Sequence, residues 1–408
     1  MGKDIIKDVS FKNEKIIHTD KDYFLNEKPF GVLTPDEQSP LFSVSVSNSS
    51  LSIDIWSGCA FACKYCHVQG IYTYIKEDGK MKRHPILNTK HSIDEIVSAL
   101  IKHPFFEKDK TIISICTSST EPFASTKVTE STIEIMKTFV KKKVKNPFWI
   151  VTKAGLPKNI VKDLEEITKN GNKIMLSMCW AGNPKEIEPA QNERLKNIEL
   201  VRNIPNVYVA WYLRPLVKEW GANAKNLEKM FKYVKDNYDG YIDMIVPGGM
   251  RWTSGIEYAL TEINNIKLPK LIKDDNIKTL DDKIVETINK LSTKYFKDIP
   301  VFYNSSCALS YMLNKSSIAL VNHYKEKNCL CSNCPKELRE LCNKKLIITE
   351  FVDLEKKLSK MGIKIKFKKL DLKNHEIVTI PEIDSFEYAV KQIIIRTIAE
   401  YKNELINK

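Results

Sequence analysis

The chain has 408 residues, of which 43% are hydrophobic, and its formal net charge is +13. This length suits one large domain with an extension or two domains, and the hydrophobic fraction suffices for a packed core. No apolar run approaches the roughly 20 residues of a membrane span, and the first residues lack the apolar segment of a secretory signal. We therefore expect a cytoplasmic protein with no membrane partner.

The positive charge rests mainly on lysine, because only seven of the 64 basic residues are arginine. Lysine attracts anions diffusely but lacks the bidentate fork with which arginine reads phosphates and guanine. The charge is therefore compatible both with a nucleic-acid partner and with a lysine-rich composition that serves no binding role.

Apolar runs alternate with helical patterns after a mixed polar lead-in over residues 1–50. Strands are predicted at 51–56, 111–117, 148–152, 173–179, 207–213 and 241–246. Helices are predicted at 92–103, 129–143, 158–169, 190–203 and 223–237, the first with a capping box formed by Ser92 and Glu95. Six strands alternating with helices predict an α/β fold built from parallel βα units over residues 51–250.

Residues 251–408 break this alternation, and we interpret them as an α+β C-terminal extension that covers the open side of the βα core. Helices are expected at 278–295 and from residue 307. The extension carries four thiols within fourteen residues: Cys329, Cys331, Cys334 and Cys342. An all-thiolate set suits a second [4Fe–4S] cluster and also suits structural zinc. The remaining Cys307 could donate hydrogen, bind metal or simply pack.

A first cysteine set follows the first predicted strand, with the spacing Cys-x3-Cys-x2-Cys at Cys59, Cys63 and Cys66. Three thiolates can hold three irons of one cluster and leave the fourth iron open to a ligand, whereas four-cysteine clusters carry electrons. Open coordination positions mark catalytic metal sites. The alternative is a zinc site completed by His67.

This spacing, with the aromatic Tyr65 before the last cysteine, resembles the signature of the radical S-adenosylmethionine (SAM) superfamily. The resemblance implies a [4Fe–4S] cluster whose open iron binds SAM, and reductive cleavage of SAM to a 5′-deoxyadenosyl radical that abstracts hydrogen. It also implies a partial (βα)6 barrel, with the site at the carboxyl ends of the strands, and an electron donor of the flavodoxin or ferredoxin type.

Motifs at successive strand ends, across residues 51–246, resemble the spore photoproduct lyase family. The triplet Cys116-Thr117-Ser118 carries most of the resemblance, which implies that Cys116 donates hydrogen; the alternative is a small buried residue, as free cysteines often are. The cofactor-binding residues implied by the resemblance are Tyr65, Thr117, Ser118, Glu121, Lys153, Ser177 and Arg214. That family repairs a thymine-dimer lesion in DNA and has a tyrosine at the position of His67. The difference places thymine-dimer repair by this chain in doubt.

Arg214 could also bind an anionic substrate or pair with Glu188. The turn of residues 247–252 contains two glycines that would allow close approach of a nucleoside.

Three functions follow from these patterns. The first is a radical SAM enzyme, with chemistry of the lyase or transferase type, that acts on a nucleic acid or nucleotide. The second is radical modification of a peptide or small metabolite with the help of an auxiliary cluster. The third is a non-catalytic zinc protein that binds nucleic acid.

Overall fold

The structure is a computed structural model that describes most residues of the chain. These are 16–18, 24–26, 33–34, 36–47, 49–61, 63–66, 84–188, 194–251, 256–257, 259–268, 280–318, 334–343, 347–348, 351–365, 367, 370–371 and 388–406. His67, Cys329, Cys331 and Trp252 lie outside the described residues.

A seven-stranded, mostly parallel sheet forms the centre of an α/β fold. The strands are Ile16–His18 (β1), Phe24–Asn26 (β2), Val44–Val46 (β3), Leu51–Ile53 (β4), Trp56–Ser57 (β5), Ile86–Leu87 (β6), Ile113–Ile115 (β7), Phe148–Thr152 (β8), Ile174–Cys179 (β9), Val207–Tyr212 (β10), Met244–Ile245 (β11), Ile347–Ile348 (β12) and Leu370–Asp371 (β13). The large sheet has the order β11-β10-β9-β8-β7-β4-β3. Six of its strands are parallel and adjacent in chain order: β4, β7, β8, β9, β10 and β11. Strand β3 pairs antiparallel with β4.

Helices with apolar residues at helical spacing pack against the strands. The α-helices are Ile93–Lys102 (α1), Thr126–Lys141 (α2), Val161–Lys169 (α3), Ala224–Tyr238 (α4), Asp282–Tyr295 (α5), Ser305–Leu313 (α6), Lys336–Asn343 (α7), Val352–Lys360 (α8) and Tyr388–Ile406 (α9). Ser92 and Glu95 form the predicted capping box at the start of α1. No helix among the described residues is long and apolar enough to cross a lipid bilayer.

The two faces of the sheet pack against different partners. Ile174, Leu176 and Met178 of β9 join the core formed with α1 to α5. Met175 and Cys179, which alternate with them, join a second cluster with Ala308, Leu309 and Met312 of α6. We call this second side the α6 face. All six residues of β9 are buried, which is typical of parallel strands covered on both sides.

Helix α6 runs along its face of the sheet from the carboxyl ends of the strands towards their amino ends. At its start, Ser305 Oγ lies 2.6 Å from the hydroxyl oxygen of Tyr212, the last residue of β10. At its end, the carbonyl of Met312 accepts a hydrogen bond of 2.7 Å from Lys173, which precedes β9. The extension therefore reaches both the carboxyl ends and the amino ends of the strands.

The predicted strands all contain an observed strand, and four of the five predicted helices overlap an α-helix. The prediction of an α-helix over 190–203 is wrong for its described part, which contains only a 3-10 helix over Ile198–Val201. Leu195 and Asn197 adopt positive φ angles of 59° and 64°, and that left-handed conformation interrupts an α-helix. Residues 44–46 of the predicted lead-in form the antiparallel edge strand β3.

Candidate functional site

The carboxyl edge of the parallel strands brings the first cysteine set together with charged residues from several strand ends. The cysteine loop follows β5, Lys153 follows β8, and Glu188 and Arg194 lie in the segment between β9 and β10. Ligands of open α/β sheets bind outside this edge. The location therefore agrees with the predicted position of the site.

Backbone hydrogen bonds anchor the cysteine loop. The amide of Lys64 donates to the carbonyl of Ile187 at 3.0 Å, and the amide of Cys66 donates to the carbonyl of Cys63 at 3.2 Å. The Thr120 hydroxyl donates to the carbonyl of Gly58, whose φ of 86° is one that glycine adopts at little cost. The loop is thus fixed against both neighbouring strand-end segments.

Glu188 is the centre of the polar network beside this loop. Its Oε1 accepts hydrogen bonds from Lys153 Nζ at 2.6 Å and from Arg194 Nη2 at 3.0 Å, and its Oε2 accepts from Asn183 at 3.1 Å. The sulfur of Cys63 lies 3.9 Å from Oε1. Burial raises the pKa of Glu188, but the two cations lower it more strongly, so its net pKa lies below the ordinary value.

Tyr65 connects the cysteine loop to Lys153. Its hydroxyl oxygen accepts a hydrogen bond of 2.7 Å from Lys153 Nζ, and its ring centroid lies 5.5 Å from that of Trp220. Both aromatic side chains are buried. The resemblance predicts that Tyr65 lines the adenine site; here its ring packs beside a second aromatic that the sequence patterns did not single out.

The three thiols influence one another electrostatically. Burial raises the pKa of Cys59 above its ordinary value, and the neighbouring Glu121, Cys66 and Cys63 add to the effect. Burial raises the pKa of Cys63 to about 12, although Lys153 partly opposes this shift. Metals bind the thiolate form, so a bound metal would have to displace these protons.

The donor set fits a three-thiolate cluster. Within the described ranges, no three Cys, His, Asp or Glu side chains form a group that could hold a single metal ion. A cubane cluster binds each thiolate at a different iron and therefore does not need three sulfurs around one point. Lys153 and Arg194 supply positive charge close to Cys63, which is favourable beside anionic thiolates.

The segment after β7 uses its polar side chains to fix the backbone. Glu121 accepts hydrogen bonds from the Thr152 hydroxyl and, at 2.8 Å, from the Lys153 amide. The Thr117 hydroxyl lies 2.7 Å from that of Ser52, and the amide of Ser118 donates to Asp54 at 3.0 Å. These predicted cofactor-binding residues therefore gather at the expected edge, where each already has a protein partner.

Cys116, the predicted hydrogen donor, is buried with a φ of 59° and packs in the core that includes α1 to α5. Burial raises the pKa of its thiol well above the ordinary value. Cys179 instead lies in the cluster of the α6 face, and burial raises its pKa to about 11 against the opposing effect of Lys153. Cys116 thus lies among the packed helices in this structure.

Ser177 and Arg214 occupy the neighbouring strands β9 and the end of β10. Ser177 is fully buried, and its hydroxyl accepts a hydrogen bond of 3.0 Å from the Trp149 indole. Arg214 does not pair with Glu188, because the cations that bind Glu188 are Lys153 and Arg194. The alternative Arg214–Glu188 ion pair is therefore wrong.

Cys342 of the second cysteine set lies near the opposite edge of the sheet, at the amino ends of the strands. Of its members, Cys334 and Cys342 are described; the sulfur of Cys342 accepts a hydrogen bond of 3.3 Å from the amide of Ser317. Ser317 follows the end of α6, which contacts Lys173 at the amino end of β9. Since β9 has six residues, the two edges are about 20 Å apart at ~3.3 Å per residue.

No protein-family model matches this chain, and no curated protein is significantly similar to it.

Several residues of the network have no local signature. Trp220 ends a short 3-10 helix, and Asn183 lies in an irregular segment. Both acquire a role only through contacts made by the fold. Ser305 is 91 residues from its partner Arg214. The sequence offered Glu188 as an ion-pair partner, but its cations could not be assigned from spacing.

Proposed function

We propose that this protein is a radical SAM enzyme with a partial βα-barrel core, in which Cys59, Cys63 and Cys66 hold a [4Fe–4S] cluster. When bound, the cluster and SAM would together supply a 5′-deoxyadenosyl radical for hydrogen abstraction. The observation that carries the proposal is the meeting of the three-thiol loop with Lys153 and Glu188 at the carboxyl edge of six sequential parallel strands.

The residues around the loop have complementary tasks in this proposal. Tyr65 and Trp220 present an aromatic surface suited to a flat base. Lys153 offers an ammonium suited to a carboxylate, and Glu188 keeps that ammonium charged and oriented. Glu121 fixes the amide of Lys153. The polar groups are therefore preorganised before a cofactor arrives, which is favourable for binding.

We infer a nucleic-acid or nucleotide substrate, which the net charge of +13 and the triplet at 116–118 support. Binding dominated by phosphate contacts weakens steeply with salt. We expect the affinity for single- and double-stranded oligonucleotides to fall at least tenfold between 50 and 200 mM salt, as contacts to several phosphates would produce. Binding that is absent or insensitive to salt would argue for a peptide or small metabolite instead.

The position of the second cysteine set limits its role. A cluster held by Cys334 and Cys342 would lie near the amino edge of the sheet, about 20 Å from the first loop. It would therefore not contact a substrate held beside the first cluster. This placement weakens the specific version of the metabolite hypothesis in which an auxiliary cluster binds substrate directly.

Metal analysis tests the assignment of the first loop. The anaerobically purified and reconstituted protein should contain iron and sulfide and absorb near 400 nm. The triple variant C59A/C63A/C66A should lose about four irons per chain, whereas the C116A variant should lose none. Zinc at both cysteine sets without iron would favour the non-catalytic zinc protein and reject the proposal.

A further inference from the structure

Arg214 is a buried cation with no carboxylate partner. Its relative exposure is 9%, and it forms no ion pair with any residue that the structure describes. A buried charge without a counterion is costly. Every hydrogen-bond acceptor that it has is neutral, and Cζ lies 4.5 Å from the centroid of the Tyr212 ring, a cation–π contact that offsets part of the charge. No anion among the described residues balances the rest.

The hydrogen bonds of Arg214 fix the guanidinium but leave one donor unused. Nη1 donates to the hydroxyl oxygens of Tyr212 at 3.1 Å and Ser305 at 3.2 Å. Nη2 donates to the carbonyls of Pro247 at 3.2 Å and Tyr303 at 3.4 Å. The buried Nε has no hydrogen-bond partner. A buried unsatisfied donor is unusual in a folded protein.

Close packing at a glycine holds this arrangement. A Cβ added to Gly248 would lie 2.5 Å from Arg214 Nε and 2.9 Å from its Cζ, which is far inside van der Waals contact. Gly248 follows β11 as Arg214 follows β10. The turn glycine therefore makes room for the guanidinium at the carboxyl edge of the sheet.

The amino end of α6 points to the same place. Ser305, the first residue of this nine-residue helix, provides a hydroxyl to Arg214. The first amides of a helix have no acceptor within the helix, and the helix dipole favours an anion there. The guanidinium and the helix end are independent features that both suit an oxyanion.

The geometry points to a phosphate site at Arg214, Tyr212 and Ser305 that holds an anionic group of the substrate. The site lies two strands from Lys153, a spacing of about 10 Å at ~4.8 Å per strand, and so is separate from the proposed cofactor contacts. The inference rests on the proposed function only in assigning the phosphate to the substrate. The extension would then complete the site through Ser305.

Titration of sodium phosphate into the full-length protein at constant ionic strength tests the inference. Calorimetry should show at least a tenfold rise in the phosphate dissociation constant for R214Q. A several-fold rise in the phosphate dissociation constant is expected for S305A. This variant removes only a hydroxyl and is therefore expected to fold, so it tests the site even if R214Q misfolds. The control R202Q removes an exposed arginine that pairs with Asp243 and should match the wild type.

A parallel measurement of SAM binding separates the two sources of an oxyanion. Because we assign Arg214 to the substrate rather than to the cofactor role that the resemblance implies, we expect the R214Q variant to bind SAM within twofold of the wild type. Unchanged phosphate binding in both R214Q and S305A would overturn the inference, as would a tenfold loss of SAM affinity in R214Q. The phosphate titration needs no radical chemistry, so failure to form 5′-deoxyadenosine would reject only the proposed function.

Discussion

Lys153 Nζ lies 2.6 Å from Glu188 Oε1, and the Cys63 sulfur lies 3.9 Å from the same oxygen. Arg194 binds the same oxygen of Glu188. Two cations thus share one buried carboxylate beside the proposed cluster loop. The stability of the residues around the cysteine loop therefore depends on the charge of Glu188.

Replacing Glu188 by Gln should destabilise the metal-free protein by about 3 kcal/mol, because Lys153 and Arg194 would remain buried without their counterion. Urea-induced unfolding at pH 7 measures the change. The matched control is E186Q, an exposed glutamate two residues earlier, which should change stability by less than about 0.5 kcal/mol. Equal effects of the two variants would contradict the role assigned to Glu188.

Replacing Cys342 by Ala should remove metal from the second set without abolishing SAM cleavage. The reason is that Cys342 lies by Ser317 near the amino edge of the sheet, away from the first loop. Metal content and 5′-deoxyadenosine formation should be measured on the same preparation. A metal content equal to that of wild type would show that Cys342 is no ligand, and loss of SAM cleavage with the first cluster intact would require an electron relay between the sets.

Replacing Gly248 by Ala should displace Arg214, since the new Cβ would lie 2.5 Å from its Nε. We expect a loss of about 1–3 kcal/mol in unfolding free energy, which is typical of overpacking. In an R214A background the same change should cost less than about 0.5 kcal/mol, because the clash is gone. An additive double-mutant cycle would show that the two residues do not interact.

Glu404 should contribute stability that depends on pH. Its carboxylate accepts hydrogen bonds of 2.6 Å from Lys110 and from Lys357. Burial raises its pKa, but these two ammonium groups lower it more, so the net pKa is below the model-peptide value of 4.5. The contribution is therefore present above pH 4.5 and is lost as the pH falls through the lowered folded-state pKa.

The E404Q variant measures that contribution. At pH 7 it should be less stable than wild type by about 0.5–1 kcal/mol, a value reduced for solvent screening, and the difference should shrink below pH 4.5. The control E165Q alters an exposed helical glutamate and should show no such trend. A difference that is constant with pH would assign the effect to packing.

The sequence was sufficient to predict the parallel strands because their apolar runs are short, regular and separated by helical patterns. The segment 173–179 is an example, since nearly all of it is the buried strand β9. The helix at 190–203 was mispredicted because the positive φ angles of Leu195 and Asn197 depend on the surrounding fold rather than on residue type. Leucine, in particular, gives no local signal of that conformation.

The sequence indicated which of the candidate site residues follow the strands, but not which of them pair with one another. The strand-end rule located Lys153 and Arg214 correctly at one edge of the sheet. Which cation binds Glu188 depends on side-chain reach in three dimensions, and the contact of Arg214 with Ser305 joins two distant parts of the chain. Such contacts arise from the topology of the fold and cannot be predicted from the spacing of residues along the sequence.

Incubation of the anaerobically reconstituted protein with SAM and dithionite tests the central claim most directly. Chromatography should show 5′-deoxyadenosine and methionine in equal amounts from the wild type and from C342A, and neither product above background from C63A. A wild-type protein that carries its full iron content yet forms no 5′-deoxyadenosine would contradict the assignment of the Cys59–Cys66 loop as a SAM-cleaving centre.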